Sequence, residues 1–444
     1  MKIKTLVLTA ATTLVSAAAC AQATNEQLQQ ALAQAQAAAA QAQAAAQQAQ
    51  LALKDALAAA ERAKASSEAA PSAQAAGGVS RSGLTVTSGA NSATLYGLID
   101  VTYVNQNHAN AAGNSVTTPR VSWFSGNRWG LTGQHKLGGS DGDLKAIFRL
   151  ESEFESQTGN EDTPGVLFNR DAWLGLQSDS LGKLTVGRQN ALARDPAGSA
   201  TYGDPYGSAK ATLEEGGYTN NNNFKQLIFY AGSATGTRMN NGVVWKKEFG
   251  SLVTGLAYQF GGIPGSFSTG STKTGSLAWN GNGWTVAGFA TSANINKLTH
   301  STYSFGGNFA VTPMVRIYGG YFNYKAQQAA GFGDRKDTAY TVSTKFAPSA
   351  MYDFELGYQS MRASKAGLTK TGFVQNAYSD TTAITGVATG NRNTLYASAF
   401  YHLDSSTEFY VAADKLNTTG TYLAAQANGS KSQNEYGIGM RFKF

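Results

Sequence analysis

NEYGIGMRFKF, residues 434–444, is the stretch whose reading decides the fold. Side chains alternate across a β-strand, so Tyr436, Ile438, Met440, Phe442 and Phe444 share one face. Glu435, Gly437, Gly439, Arg441 and Lys443 share the other. The strand is oily on one side, polar on the other, and has no polar tail after it. That pattern suits a barrel with lipid outside and water inside.

The rest of the chain agrees. Among 444 residues there are 50 Gly and 20 Tyr against 8 Pro and one Cys, the usage that many short strands and turns require. No apolar run reaches 18 residues, so no helix spans a bilayer. From residue 93 onward, alternation and turn signals predict sixteen strands, starting near residues 93, 120, 144, 166, 182, 236, 252, 272, 284, 299, 314, 339, 352, 393, 407 and 433. Short connections (138–143, 178–182, 280–283, 312–313, 347–350, 404–406) alternate with long ones (105–119, 189–233, 261–271, 325–338, 363–392, 417–432). The expectation is an all-β fold, a sixteen-stranded antiparallel transmembrane β-barrel of the up-and-down type over 93–444. An even strand count puts both barrel ends on the short-turn, periplasmic side.

Three segments precede it. Residues 1–21 read as a signal peptide: lysines at 2 and 4, an apolar stretch Leu6–Ala19, and a small-x-small cleavage site at Ala19-Cys20-Ala21. A lipidated Cys20 is the alternative, but Ala17 stands where that signal usually has Leu. Residues 22–66 are rich in Ala and Gln. Leu28, Leu32, Ala35, Ala39, Ala42, Ala46, Ala49, Leu53, Ala56, Ala60 and Ala63 follow a four-three alternation, which predicts an α-helical coiled coil in the periplasm. An isolated Ala-rich helix is the plainer reading. Residues 67–92, with Pro71 and many Ser, Ala and Gly, read as a flexible linker.

Little points to catalysis or metal. The four His (108, 135, 300, 402) are scattered, the single Cys forms no cluster, and GSDGD (139–143) lacks the downstream Glu of a calcium loop. No cofactor, metal or nucleic-acid partner is expected. The charges do not cluster, and the chain is exported.

Within the barrel, Trp129, Leu131 and Gly133 form a lipid-side row, so Arg128 points inward. Arg149 and Glu151 alternate with Phe148, Leu150 and Phe154 and face water as well. In FNRDAWLGL (168–176), Trp173 and Gly175 share a face. Arg170 lies opposite with Ala172 and Leu174, an awkward phase that turns Asp171 outward and Leu174 inward. A barrel this wide is filled by water and needs something inside to narrow it. The long segment 189–233 carries Asp204, Glu214 and Glu215 and is the candidate. An extracellular loop packed on a neighbour is the alternative.

YGLIDVTY (96–103), NRWGLTGQHKLGG (127–139), LKAIFRLESEF (144–154), FNRDAWLGLQS (168–178), KLTVGRQ (183–189) and GIGMRFKF (437–444) resemble the general porins of Gram-negative bacteria, nearest to those of beta-proteobacteria such as Neisseria and Burkholderia. The resemblance implies a homotrimer in the outer membrane, passage of small hydrophilic solutes, and a third loop folded into the lumen. It implies contact with lipid and lipopolysaccharide, and Phe444 as the signal read by the barrel-assembly machinery. It also implies inward Arg170 and, in GTRMNNGVVW (236–245), Arg238. Arginines facing an acidic loop would set up a transverse field. Beyond residue 92 there are 29 Lys and Arg against 24 Asp and Glu, which leads us to expect a weak anion preference. The coiled coil is no part of this resemblance. It supports a different class of function, an envelope tether or adhesin-like protein whose coil reaches peptidoglycan while the barrel is an anchor. A barrel phospholipase would need His and Ser together on a lipid-facing strand, and none is evident.

Overall fold

The computed structural model describes residues 79–80, 83–121, 123–138, 143–195, 200–207, 232–372, 374–421 and 428–444. The expected signal peptide and coiled coil lie outside the described residues. Nineteen strands form one sheet. In chain order they are β1 Val79–Ser80, β2 Gly83–Ser88, β3 Asn91–Gln106, β4 Val116–Val121, β5 Arg128–Lys136, β6 Lys145–Glu153, β7 Asp171–Ser178, β8 Gly182–Asn190, β9 Arg238–Phe249 and β10 Leu252–Gln259. They continue with β11 Thr272–Asn280, β12 Trp284–Ile295, β13 Leu298–Ala310, β14 Val315–Ala326, β15 Arg335–Ser349, β16 Tyr352–Leu368, β17 Gly386–His402, β18 Thr407–Thr418 and β19 Ser432–Lys443.

From β5 to β19 each strand pairs antiparallel with the next, and β19 pairs back onto β3, from Glu435↔Gln106 to Lys443↔Leu98. The sheet therefore closes on itself and removes its edges. β4 and β5 occupy successive stretches of one side of β3, opposite Val101–Gln106 and Asn91–Leu98, and count as one broken stave. The wall thus has the sixteen staves expected.

Alternation fixes which face is which. β12 reads exposed and buried in turn along its length. The outward face between the rims is aliphatic and aromatic, with Leu277, Val286, Phe305, Val342, Leu356, Leu395 and Val411 all exposed. Two aromatic girdles bound it. Tyr303, Tyr321, Tyr340 and Tyr358 stand toward the long loops, and Trp279, Phe309, Phe346 and Phe354 toward the short turns. A lipid-facing band between two aromatic rows is what a bilayer-spanning barrel requires.

Three expectations need correction. The linker to residue 92 is too long, because β2 pairs Leu84–Ser88 with Asn91–Leu95 of β3 across a turn at Gly89. β5 already occupies the other side of those β3 residues, so β2 lies on the side of β19 and prolongs that stave. Second, long and short connections do not alternate throughout. Residues 296–297 form a two-residue hairpin on the loop side, with φ of 50° at Asn296 and 69° at Lys297, the geometry such tight turns favour. Third, residues 154–170 form a long loop that had not been anticipated, and β7 starts at Asp171 rather than near 166.

Candidate functional site

The inner face of β5–β9 carries the arginines. Arg128 faces the lumen, as its alternation with Trp129 requires, and its Nε donates to Gly126 O at 2.7 Å. Arg149 and Glu151 also point inward. Glu151 is nearly surrounded: Arg149 Nη2 lies 3.1 Å away, Arg170 Nε 2.5 Å, and the Tyr96 hydroxyl donates to it at 2.7 Å. Arg170 also pairs with Glu153 through Nη1. Arg149 Nε is 3.6 Å from Asp171. Arg238 is buried, donating through Nε to Arg170 O and through Nη1 to Thr237 Oγ1, both at 3.1 Å.

Arg170 is inside, but for a reason other than strand phase. In β7 it is Asp171, Trp173 and Gly175 that face inward, opposite Glu151, Arg149 and Ile147. Leu174, 65% exposed, and Leu176 face outward with Ala172. The phase read from sequence was therefore inverted for Asp171, Trp173 and Leu174. Arg170 stands one residue before the strand in a bend, where alternation does not apply, and the two glutamates draw its guanidinium in.

The wall has a feature that alternation could not reveal. Between β4 and β5 the chain leaves the sheet and tucks inward, burying Trp123 and Phe124. Phe124 packs edge-on to Tyr410, ring centroids 4.6 Å apart, and against Phe400 at 4.8 Å. Asp100 Oδ2 accepts from the backbone N–H groups of Phe124 (3.2 Å) and Ser125 (3.0 Å), and Arg441 Nη1 donates to Ser125 Oγ at 2.7 Å. Near the short turns, polar contacts run across neighbouring strands: ion pairs from Lys345 to Asp353 (2.9 Å) and from Arg441 to Glu408, and hydrogen bonds of the His402 ring with Asp353 (2.8 Å) and Glu408 (3.0 Å).

The described parts of the segment after β8 lie within the barrel. Tyr202 shares a hydrogen bond with Ser276 Oγ at 2.7 Å, and Tyr206 one with Ser304 Oγ at 2.6 Å; both serines are inward on β11 and β13. Burial raises both phenols above their usual range, so both hydroxyls keep their protons. Asn308 Nδ2 donates to Gly203 O (2.7 Å) and Asp204 O (2.8 Å). Gly203 has a φ of 66°, and a Cβ there would meet Asn280 and Thr285 at 2.3 Å, so both backbone and space demand glycine. Asp204 is thereby held against β13 and β14, half-way round the closed wall from β5 and β6. Glu214 and Glu215 lie outside the described residues.

A second loop also enters. Tyr378, between β16 and β17, is buried with its ring stacked on Tyr324 at 5.5 Å, and its backbone N–H donates to Tyr324 OH at 2.9 Å. Ala193, Tyr206, Ala377 and Tyr378 share one apolar cluster with Phe289 and Phe322 of the wall. Tyr206 and Tyr378 therefore both pack on the β12–β16 side, across from the arginines. The expectation of bare arginines facing an acidic loop becomes, among the described residues, arginines interleaved with Glu151, Glu153 and Asp171 on their own wall. Sequence reading missed Glu153, Asp171, Arg441, the tuck and Tyr378. The inward alternation of Glu153 with Glu151 was the signal available for the first.

Comparison with known proteins places this geometry. The family model for Gram-negative porins matches residues 8–421. An outer membrane porin protein of Bordetella pertussis is 49% identical over 84 residues, 19% of this chain and 20% of the relative, so the match spans about a fifth of that protein. Among solved structures, an anion-selective porin from Comamonas acidovorans is similar with a TM-score of 0.61 and 21% identity, covering 80% of this chain and 100% of that one. OmpT of Vibrio cholerae, expressed in the outer membrane, gives 0.53 and 15% over 81% of this chain and 100% of its own. OmpF of Salmonella typhi in complex with daunomycin gives 0.52 and 12%, again over 81% and 100%. At these identities the structural likenesses show a shared barrel fold.

Proposed function

The chain belongs to the Gram-negative porin family, and from that premise we propose that its barrel is an outer-membrane channel for passive diffusion of small hydrophilic solutes and ions. The carrying observation is the division of the wall into an apolar outer face and an inner face bearing Arg128, Arg149, Arg170 and Arg238 with their carboxylates. A closed barrel of this strand number holds water, and fixed charges at its narrowest level select what passes.

The constriction lies between the arginine wall and the segment 189–233, whose described part carries Asp204 to the far side. Burial of Tyr206 and Tyr378 against β12–β16 favours a water path along the arginines. Four arginines against Glu151, Glu153 and Asp171 leave a positive excess there, and we read this as a mild preference for anions. The similar Comamonas porin is described as anion-selective, which agrees. The channel works without cofactor or catalysis.

Three such barrels, seated in lipid and lipopolysaccharide and inserted by the barrel-assembly machinery through Phe444, make the functional unit. The alternative reading is an envelope tether or adhesin-like protein in which the barrel is an anchor and residues 22–66 contact the cell wall. Single-channel recording in salt gradients tests the channel reading on wild type and on the Arg128→Ala/Arg170→Ala double variant. Wild type should conduct, and the variant should lose anion preference. Unchanged selectivity sinks the constriction assignment, and absence of conductance sinks the channel. Removing residues 22–70 and measuring trimer stability and cell-wall association tests the tether.

A further inference from the structure

The inner wall carries a row of lysines nearer the short turns than the arginines. Lys136 of β5, Lys145 of β6, Gln177 of β7, Lys183 of β8 and Lys246 of β9 are cross-strand partners in that order, a single rung across five strands. They point inward: Arg149, Trp173 and Thr185 share their face, and Leu176, Leu184 and Val186 on the other face are exposed. Neighbouring strands lie about 4.8 Å apart, so the rung spreads over roughly 19 Å. Like charges directly opposite one another on a sheet cost stability. Lys136 with Lys145, and Lys183 with Lys246, are two such pairs. Lys246 meets Asp195. Lys136, Lys145 and Lys183 meet no carboxylate within 4.0 Å among the described residues.

A second, independent observation is Trp173. Of the six tryptophans, Trp129, Trp245, Trp279 and Trp284 lie on the outer face, and Trp123 is buried in the tuck. Trp173 is the one that a strand turns toward the lumen, and its indole is half-buried. An outward indole gains by meeting the bilayer boundary. An inward one gains nothing from water, and its flat face is a surface for stacking. Lys183 Nζ lies 4.3 Å from the centroid of that ring. With no carboxylate to meet, this ammonium rests on the negative π face instead. Arg149, directly opposite Trp173 on β6, has a side chain 38% exposed. A flat ring thus stands among cations, and the lysine rung leads to it from the short-turn mouth.

We propose that Trp173 and Lys183, served by Lys145 and Lys136, form a subsite in the lumen for planar aromatic carboxylates. The ring of the solute stacks on the indole, and its carboxylate takes the Lys183 ammonium, which exchanges a weak partner for a full charge. Lys145 and Lys136 raise the local concentration of anions beside it. A saturated ring of the same charge cannot lie flat on the indole, and a small inorganic anion meets the lysines but not the ring. The inference rests on the channel reading above and adds a solute class to it.

The test uses the full-length protein in planar bilayers, at a pH where both carboxylic acids are ionised. Chloride current is titrated with benzoate, cyclohexanecarboxylate or inorganic phosphate. For wild type, the benzoate concentration that halves the current should be at least fivefold below that of cyclohexanecarboxylate and of phosphate. Trp173→Leu should make the two carboxylates equal, and Trp173→Tyr, which keeps a flat ring, should restore most of the difference. Lys183→Gln should raise both carboxylate concentrations at least threefold, and Lys183→Arg should return them. Equal potency of the two carboxylates on wild type overturns the subsite, as does an undiminished difference in Trp173→Leu. Phosphate as potent as benzoate would show a plain anion track and would overturn it too. If Trp173→Leu fails to fold, Trp173→Met removes the ring in its place. Isothermal titration of both carboxylates into the protein in micelles reads binding without current. Selective benzoate binding by a barrel that does not conduct would sink the channel reading and keep the subsite, whereas conductance without that selectivity sinks the subsite alone.

Discussion

Gly126 lies directly against the Glu153 carboxylate: a Cβ at this position would fall 2.0 Å from Oε1 and 3.0 Å from Arg170 Nη1. The inward tuck and the buried ion pair therefore occupy one space, and neither moves without the other. Gly126→Ala should push Glu153 and Arg170 aside, destabilise the barrel by about 1–3 kcal/mol, and lower small-ion conductance. Denaturant titration and single-channel recording on the same preparation check both. A variant with wild-type stability and current would show the contact to be slack.

Arg170 holds two carboxylates, Glu151 and Glu153, in a part of the wall that is almost closed to solvent. Breaking a buried pair strands the partner charge, so Arg170→Ala should cost about 3–5 kcal/mol. Adding Glu151→Gln and Glu153→Gln should recover much of that loss. The refolded fraction as a function of urea, measured for single and triple variants, gives the comparison.

Tyr206 ties the lumen loop to Ser304 and packs on Phe322, with ring centroids 5.2 Å apart. Tyr206→Phe loses one hydrogen bond, about 1 kcal/mol, and should leave conductance nearly unchanged. Tyr206→Ala removes the ring as well and should raise both open-channel current and current noise as the loop leaves the wall. Recording the two variants side by side separates anchor from ring.

Selectivity that comes from wall arginines exposed to lumen water weakens as salt screens it. The screening length is about 10 Å at 0.1 M and about 3 Å at 1 M. The anion preference from reversal potentials should therefore fall toward unity across that range. A preference independent of salt would point to size or dehydration instead.

Much of this was legible in the chain because membrane strands repeat at two residues. Arg128 was assigned inward from the row Trp129, Leu131 and Gly133, and the terminal strand from Tyr436, Ile438, Met440, Phe442 and Phe444, which are exposed on the outer face. Legibility stopped where the backbone leaves the ladder. Residues 123–127 have no strand phase, so nothing in their spacing shows Phe124 turning into the lumen. Arg170 stands one step outside β7, and the reading of its neighbours was inverted because Arg170 was set in phase with Ala172 and Leu174, which put Trp173 on the other face. It faces inward instead, with Lys183 Nζ 4.3 Å from its ring centroid. Asn296 and Lys297 make a tight hairpin on the loop side, which loop length elsewhere does not foretell.

The seam between β3 and β19 joins the two ends of the barrel in sequence. Every intervening strand can be in register and the wall still gapes until that last pairing forms. A polypeptide cut short by even one hairpin is thus no slimmer tube but an unclosed ribbon, with two rows of bare amide and carbonyl groups that hydrocarbon will not accept.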